Sequence, residues 1–131
     1  MYLAIDYGRR RIGLALGSVL PKGAGLVDGG LKRETIVEKI EAICKEKEVE
    51  KIIIGMPYRS RGEAGTLTRE IESLGDLLKQ KTGLEIVYEP EQFTSSEAER
   101  ILQGEDYQRK SGKIDEMAAV LILEQYINDN K

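Results

Sequence analysis

Residues 3–15 read Leu-Ala-Ile-Asp-Tyr-Gly-Arg-Arg-Arg-Ile-Gly-Leu-Ala, and the rest of the chain is organised around them. Leu3, Ala4 and Ile5 make a short apolar run that Asp6 ends, the pattern of a buried strand reaching its mouth. Gly8 permits a tight reversal. Ile12, Gly13, Leu14, Ala15 and Leu16 then supply a second strand folding back on the first. A carboxylate at the mouth of a core strand is costly to bury unless it is paired or holds a cation. Asp6 therefore has two readings: a turn-capping residue, or a metal-binding carboxylate facing a phosphate with Arg9, Arg10 and Arg11 beside it. Strand alternation would set Arg9 and Arg11 on one side of the ribbon and Arg10 on the other.

Downstream, residues 24–31 predict a third strand whose glycines suit a sheet edge. Residues 33–47 predict a helix, because Ile36, Val37, Ile40, Ile43 and Cys44 recur at three- and four-residue spacing. Lys51-Ile-Ile-Ile-Gly55 is a continuous apolar run, as in a strand covered on both faces. A polar loop over 58–65 carries Arg59 and Arg61. A helix over 66–81 turns Leu67, Ile71, Leu74, Leu77 and Leu78 inward and stops at Gly83. Residues 84–88 predict a strand, Thr94 or Ser95 a cap for a short helix, and 114–128 a terminal helix containing Ala118, Ala119, Leu121, Ile122 and Leu123. The fold class is α/β: a mixed five-stranded sheet of order 3-2-1-4-5, flanked by helices. In such a sheet the functional cleft lies beyond the carboxyl ends of the parallel strands. Asp6, the 58–65 loop and the segment after Tyr88 all fall there, which favours the metal reading of Asp6.

The 131 residues suit a single domain spanning 1–131. No apolar run approaches the roughly 20 residues of a membrane span, and the opening lacks the pattern of a signal peptide. Cys44 has no partner cysteine and falls on the apolar side of its helix, so a core position and a reducing cytoplasm are expected. The absence of histidine removes Ser-His and Cys-His nucleophile chemistry and any histidine-ligated metal. Metal chemistry would need oxygen donors, which points to magnesium or manganese. The net charge of −3 runs against a polyanionic partner, although the local distribution matters more than the total. Arg9, Arg10, Arg11, Lys22, Lys32 and Arg33 crowd the ribbon, and Arg109, Lys110 and Lys113 precede the last helix.

Three acids lie where the cleft would gather them: Asp6, Glu91 after the last strand, and Asp115 in the first turn of the terminal helix. Each has a plain alternative, Glu91 as a solvated loop acid and Asp115 as a complement to the helix dipole. Together they would form an oxygen cage of the kind phosphodiester hydrolysis uses. Strand spacing places the fifth strand about 10 Å from the first, so Pro90 would have to bend Glu91 back toward Asp6, or Glu91 would act through water. Tyr7 and Tyr58 are candidates either for stacking on an unpaired base or for packing.

The segment Asp6-Tyr-Gly-Arg-Arg-Arg-Ile-Gly-Leu-Ala15 resembles the D-[FY]-G-x-K-R-I-G-[LV]-A signature of the YqgF-type, RuvX-like family of bacterial pre-16S rRNA nucleases and Holliday junction resolvases. Gly55-Met-Pro57 with Gly62 is similar to the family's G-L-P-x-x-x-x-G. Glu91-Gln-Phe-Thr-Ser95 resembles D-E-R-[LF]-[ST]-T, and Lys113-Ile-Asp115 with Ala118, Ala119 and Leu123 resembles K-x-D-x-x-A-A-x-x-I-L. The resemblance runs through the whole chain in order. It implies a ribonuclease H-like fold and a hydrolase whose catalytic metal ligands fall on Asp6, Glu91 and Asp115, with magnesium or manganese as cofactor. Arg9, Arg10, Arg11, Arg59, Arg61 and Lys113 would contact nucleic acid. The implied substrate is structured RNA, foremost precursor 16S rRNA at its 5′ end, or branched DNA; the implied state is a monomer or weak homodimer. Pro90 and Gln92 depart from the family pattern, and Glu89 is an alternative ligand if the loop is shifted. Two other readings stand beside it. Asp-x-Gly also opens actin-like ATPases, for whose second domain copy there is no room, and a non-catalytic RNA-binding assembly factor would account for the altered neighbours of Glu91.

Overall fold

The computed structural model describes residues 1–57, 63–90 and 111–130, with side chains from 66 and 115 onward in the latter two segments. The elements are β1 (Tyr2–Asp6), β2 (Arg11–Gly17), β3 (Lys22–Asp28), α1 (Arg33–Glu46), β4 (Lys51–Met56), α2 (Glu63–Thr82), β5 (Glu85–Pro90) and α3 (Ser111–Asp129). All five strands join one sheet of order β3-β2-β1-β4-β5, as the sequence predicts. β1 runs antiparallel to β2 and parallel to β4, which is parallel to β5. The carboxyl ends of the three parallel strands, at Asp6, Met56 and Pro90, therefore share one edge.

Period-two alternation splits the strands between two cores. Leu3, Ile5, Ile12, Leu14, Ile52 and Ile54 face α1 and α2, meeting Ile36 and Ile40 of the first and Ile71, Leu74 and Leu78 of the second. Ala4, Ala15 and Ile53 face the other way, against Ala119, Ile122, Leu123 and Tyr126 of α3. The three consecutive isoleucines of β4 are all fully buried because helices cover both faces. Each such side chain contributes about 1.5–3 kcal/mol through burial. On the α3 side β1 and β2 present alanine, which lets the helix lie close. Cys44 is buried in the first core, and burial pushes its thiol pKa up to about 11, with Glu41 adding to the rise.

Element boundaries move for local reasons. β3 ends at Asp28 rather than 31, because the Asp28 carboxylate accepts the Gly30 N–H (2.8 Å) and turns the chain. Gly83 ends α2 as expected, at φ +72° with its N–H on the Lys79 carbonyl (2.8 Å). α2 already begins at Glu63, so residues 63–65 of the loop expected over 58–65 are helical. β5 extends to Pro90, tolerable because it is an edge strand. α3 starts at Ser111, three residues early. The short helix expected after Thr94 lies outside the described residues. Among those residues no helix is long and apolar enough to cross a membrane.

Candidate functional site

Asp6 closes β1 opposite Gly13 of β2. Residues directly opposite in an antiparallel pair share a face, and Ala4 and Ala15, two positions back on each strand, both pack on α3. The Asp6 side chain thus leaves the sheet on the α3 face. Gly13 is the point at which α3 arrives. A Cβ built there would overlap the Asp115 carbonyl, so the backbone of Asp115 rests directly on the β2 residue that Asp6 faces. The neighbouring Glu116 accepts the Gly25 N–H through its carboxylate (2.6 Å), tying the same helical turn to β3. Two of the three predicted acids, separated by more than a hundred residues, are brought to one edge and one face.

Asp115 is paired: Arg11, the first residue of β2, donates its Nε to the Asp115 Oδ2 at 2.8 Å, with both side chains partly exposed. An open cleft of about 310 Å³ runs from this pair around the turn, past Tyr7, Gly8, Arg9 and Arg10 to Leu67. Gly8 makes that turn possible, since a Cβ there would strike the Arg11 carbonyl.

The arginines are not arranged as strand alternation suggests. Residues 7–10 form the turn and only Arg11 is in a strand, so the period-two rule does not reach Arg9. Arg9 instead turns to the α2 side, where its Nε and Nη2 hold Glu70 Oε2 at 3.0 and 2.7 Å. Tyr7 donates its hydroxyl to Glu70 Oε1 (2.9 Å), and Arg33 reaches the Glu70 carbonyl at 3.3 Å. The Arg9 hydrogen bond, seconded by that from Tyr7, holds the Glu70 carboxyl below its usual range. Desolvation, then Glu70, pushes the Tyr7 hydroxyl up. Tyr7 is half-buried against the first core, which favours its packing role over base stacking. Arg10 is exposed beside the cleft.

Glu91, Arg59, Arg61 and Tyr58 lie outside the described residues, as does the side chain of Lys113. Glu89, the alternative ligand, is buried in β5 and occupied: Gln125 donates to its Oε2 (2.8 Å) and also to the Pro90 carbonyl. Desolvation raises the Glu89 pKa, Gln125 opposes the rise and Asp129 adds to it. Sequence reasoning missed Glu70 and Gln125. The only signal for Glu70 was its helical spacing between the inward-facing Leu67 and Leu74.

Whether the site suits a metal follows from its donors. Among the described residues no three ligating side chains converge. Asp6 and Asp115 are short oxygen donors on rigid elements at one edge, and the chain offers no histidine. Such a set fits a hard divalent cation.

The family described as "RuvX: Holliday junction resolvase" matches residues 1–129. Relatives carrying the name "Putative pre-16S rRNA nuclease" include one from Dictyoglomus turgidum, 36% identical and covering 96% of this chain and 92% of the relative. One from Synechococcus elongatus is 35% identical (98% and 89%), and one from Chlamydia caviae is 31% identical (98% and 83%). Among solved structures, Thermus thermophilus RuvC in complex with Holliday junction substrate superposes with a TM-score of 0.63, covering 99% of this chain and 96% of that one. A second Thermus RuvC structure gives 0.59, covering 98% and 96%. At 14% identity these two speak for the fold alone, which is ribonuclease H-like.

Proposed function

The chain belongs to the RuvX family, and from that membership we propose that it is a metal-dependent endonuclease that hydrolyses phosphodiester bonds of structured nucleic acid, foremost in precursor 16S rRNA. The observation that carries this reading is the approach of Asp115 to Gly13, the residue opposite Asp6. Two acids from the two ends of the chain are thereby brought to one edge beside an arginine-lined cleft. Asp6 and Asp115 would hold magnesium or manganese, with Glu91 as the third oxygen donor. When bound, the cation supplies Lewis-acid stabilisation of the phosphate and a more acidic attacking water.

The chain's own residues do the rest. Asp6 is held in register by β1, at the edge where three strands end. Asp115 is held by the seating of α3 on Gly13 and by the Glu116–Gly25 bond. Arg10 and Arg11 line the open cleft and would orient phosphates, and Arg59, Arg61 and Lys113 would extend the contact. Glu70 holds Arg9 toward α2, so Arg9 first of all shapes the turn.

The test is cleavage of precursor 16S rRNA fragments and of four-way DNA junctions, side by side, with magnesium or manganese. Asp6→Asn and Asp115→Asn are each expected to lower the rate by at least about a hundredfold, in line with the loss of a positioned metal ligand. Variants as active as the parent would end the assignment. Cleavage of junctions but not of rRNA would move the substrate to branched DNA, the chemistry named in the family's description. Tight rRNA binding indifferent to Asp6, without turnover, would make the protein a binding factor.

A further inference from the structure

We propose that Arg11 is a resident counter-ion for Asp115, which a divalent cation must displace and whose guanidinium, once released, takes up substrate phosphate. The proposal rests on the reading of Asp115 as a metal ligand. It starts from a contrast between two arginines of one turn. Arg9 grips Glu70 with two nitrogens, and the same carboxylate also receives the Tyr7 hydroxyl. Arg11 meets Asp115 through Nε alone. Two-pronged charge-assisted bonds hold far better than single ones, so Arg9 is tethered while Arg11 is the arginine that can be exchanged.

Burial does not separate the two pairs: Arg11 and Asp115 are 40% and 27% exposed, Arg9 and Glu70 53% and 24%, so water screens both and the contrast rests on the number of bonds each carboxylate receives. The backbone of Asp115 is held in place, because it lies on Gly13 and the next residue is bonded to β3. A cation shared with Asp6 would arrive at a carboxylate whose charge a monovalent group already balances. The guanidinium and the cation would then repel one another, and the cleft beside Arg11 is where a displaced guanidinium can meet a phosphate. Arg11 thus acts on the metal site with the opposite sign to a residue that merely orients a ligand.

Manganese binding to the full chain, followed by calorimetry without nucleic acid, reads this sign. Arg11→Ala is expected to bind Mn2+ about fivefold tighter than the parent, the equivalent of losing one partly exposed ion pair. Arg11→Gln, which keeps much of the packing, is expected to do the same should the alanine variant fold poorly. Arg10→Ala removes a charge from the same turn without touching Asp115, and its effect should stay within about twofold. In a second arm, a fluorescent RNA hairpin is titrated in EDTA. There Asp115→Asn should bind more tightly by freeing Arg11, and the gain should vanish in Arg11→Ala/Asp115→Asn, since a general charge effect would persist in the double variant. Unchanged or weaker Mn2+ binding by both Arg11 variants, or a gain that survives in the double variant, would overturn the proposal. If Asp115→Asn binds Mn2+ as well as the parent, the metal-site reading itself fails. If it loses Mn2+ while the Arg11 variants gain nothing, only the counter-ion falls.

Discussion

Glu70 fastens the hairpin turn to α2, receiving Arg9, Tyr7 and, on its carbonyl, Arg33. In the sequence it is one more acid on a helix rich in them. Its partners lie more than thirty residues away, so helical spacing could place it on the inward side of α2 but could not name what it binds. Its carboxyl is held below the usual range chiefly by the Arg9 hydrogen bond. A depressed folded pKa gives stability that is fully present above the ordinary carboxylate range and is lost as pH falls through the folded value. Between about pH 7 and about pH 3, the parent should therefore lose more stability than Glu70→Gln, measured as the shift in urea midpoint. Equal shifts in the two proteins would show that the Glu70 network contributes nothing to acid sensitivity.

At the scale of elements, the seating of α3 is what makes a site out of two distant acids. The helix lies close because Ala4 and Ala15 are small, and closest at Gly13, where no side chain fits. The strand alternation around Gly13 was readable in the sequence, and the glycine itself was visible; that a helix from the far end of the chain would rest on it was not. Gly13→Ala must push α3 off β2 or strain both. It is expected to cost about 1–3 kcal/mol, the usual range for overpacking, measured by equilibrium unfolding in urea. Cleavage should fall further than stability does, because Asp115 moves with the helix. A variant as stable and active as the parent would mean that the contact is not needed to align the two acids.

For the whole molecule, the charge balance opposes the proposed substrate, since 23 acids outnumber 20 bases. Binding of a polyanion must then depend on where the bases lie. Arg10 and Arg11 face an open cleft, while Arg9 is committed to Glu70 and Lys51 is held by the Tyr126 hydroxyl at the other end of the sheet. Nucleic-acid affinity should consequently fall with salt along the shallow slope of a few phosphate contacts. Arg10→Ala should flatten the plot of log K against log salt concentration by about one unit, the signature of a single lost phosphate contact. A slope that does not change would place Arg10 off the substrate path.

Sequence alone determined the sheet order, the faces of α1 and α2, the buried cysteine and the identity of the acids worth following, because those depend on periodicity, apolar runs and a short motif, all of them local. The pairing of Asp115 with Arg11, the withdrawal of Arg9 to α2 and the capture of Glu89 by Gln125 were decided only by tertiary structure. Those choices depend on which surface of a distant element arrives within hydrogen-bond reach. An arginine in a turn has no period to obey, and it takes the carboxylate that packing brings to it.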